Sequence, residues 1–316
     1  MHDTPSALRS LLDQGLAWHP EYGGGLADHL PMALHALHVL GADGDRLRAF
    51  AAAHERRLQR RDDVPDHGFE HRHASFSAVI AREGRDAVLR RALAGLMPGV
   101  AASAFHGLIR AAHAVQADHD GELAMGLASW AHRLCRLGPS PSAPGDMPFP
   151  EWLAALQALR PTVAIEGRMI TRRMRTWAAE PDFAALAPRL RIDDATWHEL
   201  ATTAAALYAA SGNFTVLHMV TASHALQVLM PWIDDRAAAS RHFSVAAAAA
   251  LKAADASPGA APPARPWGDI VPQAIASDDE HVIKLVHAAR ALERALGGDV
   301  FRQAATRAVN HAEVAA

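Results

Sequence analysis

Apolar residues recur with helical spacing along almost the whole chain, and no segment sustains the two-residue alternation of a half-buried strand. Residues 5–16 predict a short amphipathic helix. Gly23, Gly24 and Gly25 then interrupt the pattern ahead of Asp28-His29-Leu30-Pro31. There Asp28 suits an N-cap and Pro31 a first helical turn. The helix that follows ends at Gly41, a residue that stops helices well. Further helices are predicted over 43–61, 74–95, 100–116, 120–137, 151–159, 162–178, 193–210, 214–231, 235–254, 279–297 and 300–312. Residues 62–73 read as a polar loop, with proline- and glycine-rich connectors at about 138–149 and 257–266. The pattern predicts an all-α fold, an irregular bundle of more than ten helices, with residues 1–316 forming a single domain.

Composition narrows the function classes. Half the residues are hydrophobic but only 6% are aromatic, so alanine and leucine carry the apolar content and favour helix. The formal net charge is −3, without a basic stripe, which gives no footing for nucleic acid. Cys135 has no partner cysteine, so a reducing, cytoplasmic setting is expected. The first residues lack a basic segment followed by an apolar one, so no secretory signal is read there. No run of about 18 apolar residues predicts a membrane span. Dinucleotide, phosphate-loop and nucleophile-elbow motifs are missing as well.

Two residue types change this picture. The 31 basic residues include only two lysines, Lys252 and Lys284. Lys284 sits among Val282, Ile283, Leu285 and Val286. A buried lysine can lose its proton and act as nucleophile, base or carrier of CO2 as a carbamate; the alternative is a helix-edge lysine with its head in water. The chain also carries 20 histidines. His29, His106, His218 and His281 lie in apolar helical settings, as ligands of an ion or as core histidines bonded to carbonyls.

Helix geometry relates these histidines to their neighbours. His281 and Lys284 share a face, as do His35 and His38. His106 and His113 lie on one face but roughly 10 Å apart along the axis, and His218 and His224 point about 120° apart. His67, His71 and His73 read as solvated loop residues, and His2, His54, His119, His132, His198, His242, His287 and His311 as solvated too. Trp130, Trp232, Trp267 and Tyr208 are candidates for stacking on an aromatic ligand, against a role in core packing.

Four segments together resemble the questin oxidase-like family: His29-Leu30-Pro31-Met32-Ala33-Leu34 with Leu40-Gly41-Ala42; Pro98-Gly99-Val100 through Ala104-Phe105-His106-Gly107-Leu108-Ile109; Leu217-His218-Met219-Val220-Thr221; and Asp279-Glu280-His281-Val282-Ile283-Lys284-Leu285-Val286. The resemblance implies an all-helical oxidoreductase that opens anthraquinone-type polyketide rings in secondary metabolism. It implies a mononuclear non-haem iron, with His29, His106, His218, His281 and an N-carboxylated Lys284 as ligands. O2 and a small aromatic substrate would be the reactants, and NADPH is a candidate external reductant. Lys284, His113 and His224 are then the candidate catalytic residues, with His35, His113 and His224 as proton shuttles or orienters of ligating imidazoles. Two other readings stay open: a helical ligand-binding protein without catalysis, and a metal-dependent hydrolase or cyclase acting on a polyketide.

Overall fold

The computed structural model describes residues 4–138 and 144–315; His2, residues 139–143 of the first connector and the side chain of His311 lie outside the described residues. Sixteen α-helices carry the described fold: α1 (Thr4–Gly15), α2 (Leu30–Leu40), α3 (Gly44–Glu55), α4 (His67–Glu83), α5 (Arg85–Leu96), α6 (His106–Gln116), α7 (Asp120–His132), α8 (Phe149–Ala158), α9 (Ile170–Ala179), α10 (Pro181–Leu186), α11 (Thr196–Ser211), α12 (Phe214–Leu229), α13 (Arg236–Ala254), α14 (Trp267–Ala276), α15 (Glu280–Leu296) and α16 (Val300–Ala315). The all-α expectation holds. No helix among the described residues is long and apolar enough to cross a membrane.

The helix starts that matter for the site are set locally. Asp28 accepts from Leu30 N at 2.8 Å, Asn213 from Thr215 N at 2.9 Å and Asp279 from His281 N at 2.8 Å, satisfying amides that a helix N-terminus leaves open. Helix α2 closes at Gly41, whose φ of 106° only glycine adopts without strain. Helix α6 has no side-chain cap; Ser103, Ala104 and Phe105 lead into it with φ of 45°, 56° and 71°. Three successive non-glycine residues in that region cost on the order of 1 kcal/mol each. The Thr171 hydroxyl accepts from Ala104 N at 2.9 Å and helps to hold them there.

Several boundaries differ from the sequence pattern. The supposed loop at 62–73 gives way to helix at His67, because the Asp66 carboxylate accepts from Phe69 N at 3.0 Å. His67, His71 and His73 are therefore helical. The expected helix over 74–95 breaks at Gly84, where φ is 79°. Helix starts expected at 100 and 162 move to His106 and Ile170. Helices α10 and α14 were not foreseen; α14 carries Pro272 in its interior, which obscures a short apolar period. Gly23–Gly25 form the turn of a small hairpin pairing Glu21–Tyr22 with Leu26–Ala27.

Helices α2, α6, α12 and α15 form a closed ring, each packed on the next. The remaining helices surround that ring, and one continuous hydrophobic cluster runs through it. Helix α7 seats tightly against the outer side of α6 at Gly107, where a Cβ would meet Trp130 Cβ at 2.5 Å.

Candidate metal centre

Each helix of the central ring, counting His29 at the cap of α2, places one pair of histidines six or seven positions apart along the site: His29 and His35, His106 and His113, His218 and His224, His281 and His287. The first members meet as an upper tier. Their ring centroids lie 4.6 Å apart for His29 and His106, 4.9 Å for His106 and His218, 5.6 Å for His218 and His281, and 4.6 Å for His281 and His29. The second members meet below, so all four chains run in the same direction past the site. Six or seven residues at 1.5 Å rise separate the tiers by roughly 10 Å.

In the upper tier every Nδ1 has an oxygen beside it. His29 Nδ1 lies 3.3 Å from Glu280 Oε1, His218 Nδ1 bonds Phe214 O at 2.8 Å, His106 Nδ1 bonds Ser103 O, and His281 Nδ1 lies 3.3 Å from Asp279 Oδ1. An Nδ1–H donated outward leaves Nε2 as the free lone pair facing inward, the arrangement found around metal-ligating imidazoles. His29 Nε2 and His106 Nε2 approach to 2.6 Å, and His281 Nε2 is buried without a hydrogen-bond partner. Ligand atoms of His29, His106 and His218 all lie within 4.8 Å of one another, as do those of His29, Glu280 and His281. The donor set fits a transition-metal ion.

Electrostatics agree. Burial, with Lys284 and neighbouring imidazoles adding to it, holds His106 down at about 3 and His29 and His218 far below the ordinary imidazole value. These rings are therefore neutral, the form that binds metal. Glu280 would be raised by burial, but bonds from His29 and His54 outweigh that and keep it ionised. Lys284 is 1% exposed, and burial lowers its amine to about 8 despite the opposing pull of Glu280 and Asp279. It sits one turn below His281, and its charge is felt by rings of both tiers. The lysine singled out in the sequence is thus deep in the core, with its head away from bulk water.

A cavity of about 800 Å³ opens above the upper tier, floored by His29, His106, His218, Glu280 and His281. Phe214 lines it and lays its ring edge-on against His218 and His281, at 4.8 and 4.7 Å. Arg133, Arg136, Arg168 and Arg175 also line the cavity. Glu21 neutralises Arg133 through contacts of 2.8 and 2.6 Å. No ion pair among the described residues holds the other three.

The structure also corrects the reading of individual residues. Trp130, Trp232, Trp267 and Tyr208 stay outside the cavity wall; Trp130 is fully buried and donates to Gly99 O at 3.2 Å, and Trp232 donates to Asp86 at 2.9 Å. Tyr22 and Phe214 are the aromatic residues of the wall. His54, His119 and His287, read as solvated, are 4% exposed. His54 Nε2 lies 3.3 Å from Glu280 Oε2, and His119 caps α7 by accepting from Glu122 N at 3.0 Å. His287 joins His35, His113 and His224 in the lower tier. Glu280 was missed because an acidic residue at a helix start reads as a capping feature; its role depends on α2 and α3 folding over it.

No curated protein matches the chain. A family profile described as questin oxidase-like matches residues 26–289, which span both histidine tiers and Lys284. With that match over most of its length, the chain belongs to the questin oxidase-like family, a description that points to an oxidoreductase.

Proposed function

We propose that the protein is a non-haem iron oxygenase that uses O2 to cleave the ring of an aromatic polyketide or quinone-like substrate. The observation that carries this reading is the upper tier: four neutral imidazoles with Nδ1 beside oxygen acceptors and their Nε2 sides turned inward, at the floor of a substrate-sized cavity. His29, His106, His218 and His281 would hold the ion through Nε2, and Lys284 would complete the set as a carbamate or a neutral amine. Iron there would supply the electron transfer that lets O2 react with an electron-rich ring.

The chain's own residues do the rest. Glu280 fixes the tautomer of His29 and, through His54, ties α3 to the centre. Phe214 shields two of the imidazoles and offers an apolar face to a flat ring. The residue remains 53% exposed, so it can meet a ligand entering from the cavity. Arg136, Arg168 and Arg175 favour a substrate with an ionised phenol or carboxylate. Upper-tier positions lie in the first turns of α2, α6, α12 and α15, or within two of them, where the helix dipoles favour an anion such as a carbamate or phenolate.

The test is metal and oxygen analysis of protein purified without chelators, beside Lys284→Arg, which keeps the positive charge but cannot form a carbamate. One equivalent of iron in the upper tier and O2 uptake with a hydroxyanthraquinone are expected, both lost in the variant. Full metal content and turnover in Lys284→Arg would remove the lysine from the chemistry. An iron-loaded chain that consumes no O2 with any hydroxylated quinone or hydroquinone offered would sink the oxygenase reading.

A further inference from the structure

The lower tier is the second built cluster in this fold. His35, His113, His224 and His287 are 2%, 5%, 3% and 4% exposed. They come from the same four helices as the upper tier, one step deeper. Ring centroids lie 5.0 Å apart for His35 and His113, 5.5 Å for His35 and His287 and 5.3 Å for His113 and His287. His224 packs on His287 at 5.0 Å.

The upper rings use oxygen atoms to fix their tautomers; the lower rings have no such partners among the described residues. The one hydrogen bond found among them joins His35 Nδ1 and His113 Nδ1 at 2.8 Å, and His287 Nδ1 is buried with no partner at all. Buried polar nitrogens are costly unless something satisfies them. Burial keeps all four rings neutral, and neighbouring imidazoles add to it for His35, His113 and His287.

We propose that the lower tier is a second metal site, distinct from the oxygenase centre, in which His35, His113 and His287 bind a tetrahedral ion such as Zn2+ and His224 closes the fourth position. Ring spacing favours that geometry. An ion about 2.1 Å from each ring nitrogen puts tetrahedrally arranged centroids roughly 5.2 Å apart, and those of imidazoles at right angles roughly 4.5 Å apart. The lower triangle, at 5.0, 5.5 and 5.3 Å, matches the first value. Two upper-tier pairs, at 4.6 Å, match the second. The nitrogens already grouped within 4.8 Å are those of the upper tier, so ion capture below turns the rings about χ2, a torsion with a broad minimum. With four nitrogen ligands from buried side chains, the site is closed and structural, and it would lock α2, α6, α12 and α15 beneath the reacting centre.

The experiment is a Co2+ titration of the metal-free full chain, read by equilibrium dialysis and visible absorption. Two equivalents are expected, one with the intense ligand-field bands of four-coordinate Co2+ and one with weak bands of higher coordination. The double variant His113→Gln, His287→Gln should lose the intense bands and one equivalent, with affinity at that site down at least 100-fold. His106→Gln should keep the intense bands. One equivalent in the unaltered chain, or two in the double variant, overturns the proposal and leaves the lower tier a hydrogen-bonded imidazole cluster. Should the double variant lose its helical circular dichroism, X-ray absorption of the Zn2+-loaded unaltered chain decides: two zinc environments, one with four nitrogens near 2.0 Å, support the site, and a single environment refutes it. Failure here leaves the iron reading standing, since O2 uptake is not among these readouts.

Discussion

Glu280 Oε1 lies 3.3 Å from His29 Nδ1, across a sequence separation of 251 residues, and the opposite nitrogen of that imidazole meets His106 Nε2 at 2.6 Å. One carboxylate on α15 therefore decides which face of a ring on α2 can accept a metal. Glu280→Gln keeps the shape and removes the charge that makes Nδ1–H the favoured tautomer. Metal affinity of the upper tier is expected to fall 10- to 100-fold, with helical content unchanged. A calorimetric titration giving the same dissociation constant for both proteins would refute the orienting role.

Lys284 lowers the stability of the native state. Its amine is lowered by burial from 10.5 to about 8, so between those values the unfolded chain binds a proton that the native chain does not. Stability of the metal-free protein therefore rises with pH from about 8 to 10.5, by about 3 kcal/mol in all. Lys284→Met removes that dependence. It should raise the urea midpoint at pH 7, because the native state no longer holds a buried cation, while iron binding drops. A Met variant less stable than the parent at pH 7 would show that Lys284 is better solvated than its burial implies.

Acid acts through the imidazoles. Burial holds His35 and His106 at about 3 and His224 at about 4, against 6.5 when unfolded. As pH falls below 6.5 the unfolded chain takes up these protons first, so native stability is lost in that direction. Three such groups give a slope of about 4 kcal/mol per pH unit between roughly 6 and 4. Urea denaturation at several pH values measures it; a flat profile over that range would contradict the burial of the tiers.

The arginines at the cavity mouth should select by charge. Arg168→Gln and Arg175→Gln are each expected to weaken binding of an anthraquinone sulfonate by up to about five-fold at low salt, the range of exposed ion pairs. The effect should fade at high salt, and an uncharged anthraquinone should bind the variants as it binds the parent. Equal losses for charged and neutral ligands would mean that the arginines shape the wall and do not read charge.

Gly107 tests how far the scaffold positions the centre. A methyl group there would meet Trp130 Cβ at 2.5 Å, forcing α6 away from α7. Gly107→Ala should cost about 1–3 kcal/mol and weaken metal binding through the displaced His106. Unchanged thermal stability would show that α7 moves aside freely.

The legible parts of this molecule were those written locally. Asp28, Pro31 and Gly41 delimit α2 by chemistry that any reader of the chain can apply, and the apolar surroundings of Lys284 offered burial as one of two readings, the one the fold selects. His29, His106, His218 and His281 were recognisable by their settings, and the fold brings all four together. Glu280, His54 and Phe214 were invisible because their roles arise only when distant helices meet. His287 had a signal that went unused: it follows His281 by six positions, as His35 follows His29 and His224 follows His218. That recurring interval on separate helices marks a second layer, although His287 taken alone reads as a surface residue.

The shared direction of α2, α6, α12 and α15 has a consequence for biosynthesis. Neighbours in that ring cannot be joined by tight hairpins, so each returns to the start of the next by a long excursion through the outer helices. The final pair of imidazoles, at positions 281 and 287, is translated after the other three pairs. A nascent polypeptide therefore holds an unfinished set of donors until α15 is made, and capture of the proposed ion would have to follow the meeting of all four helices.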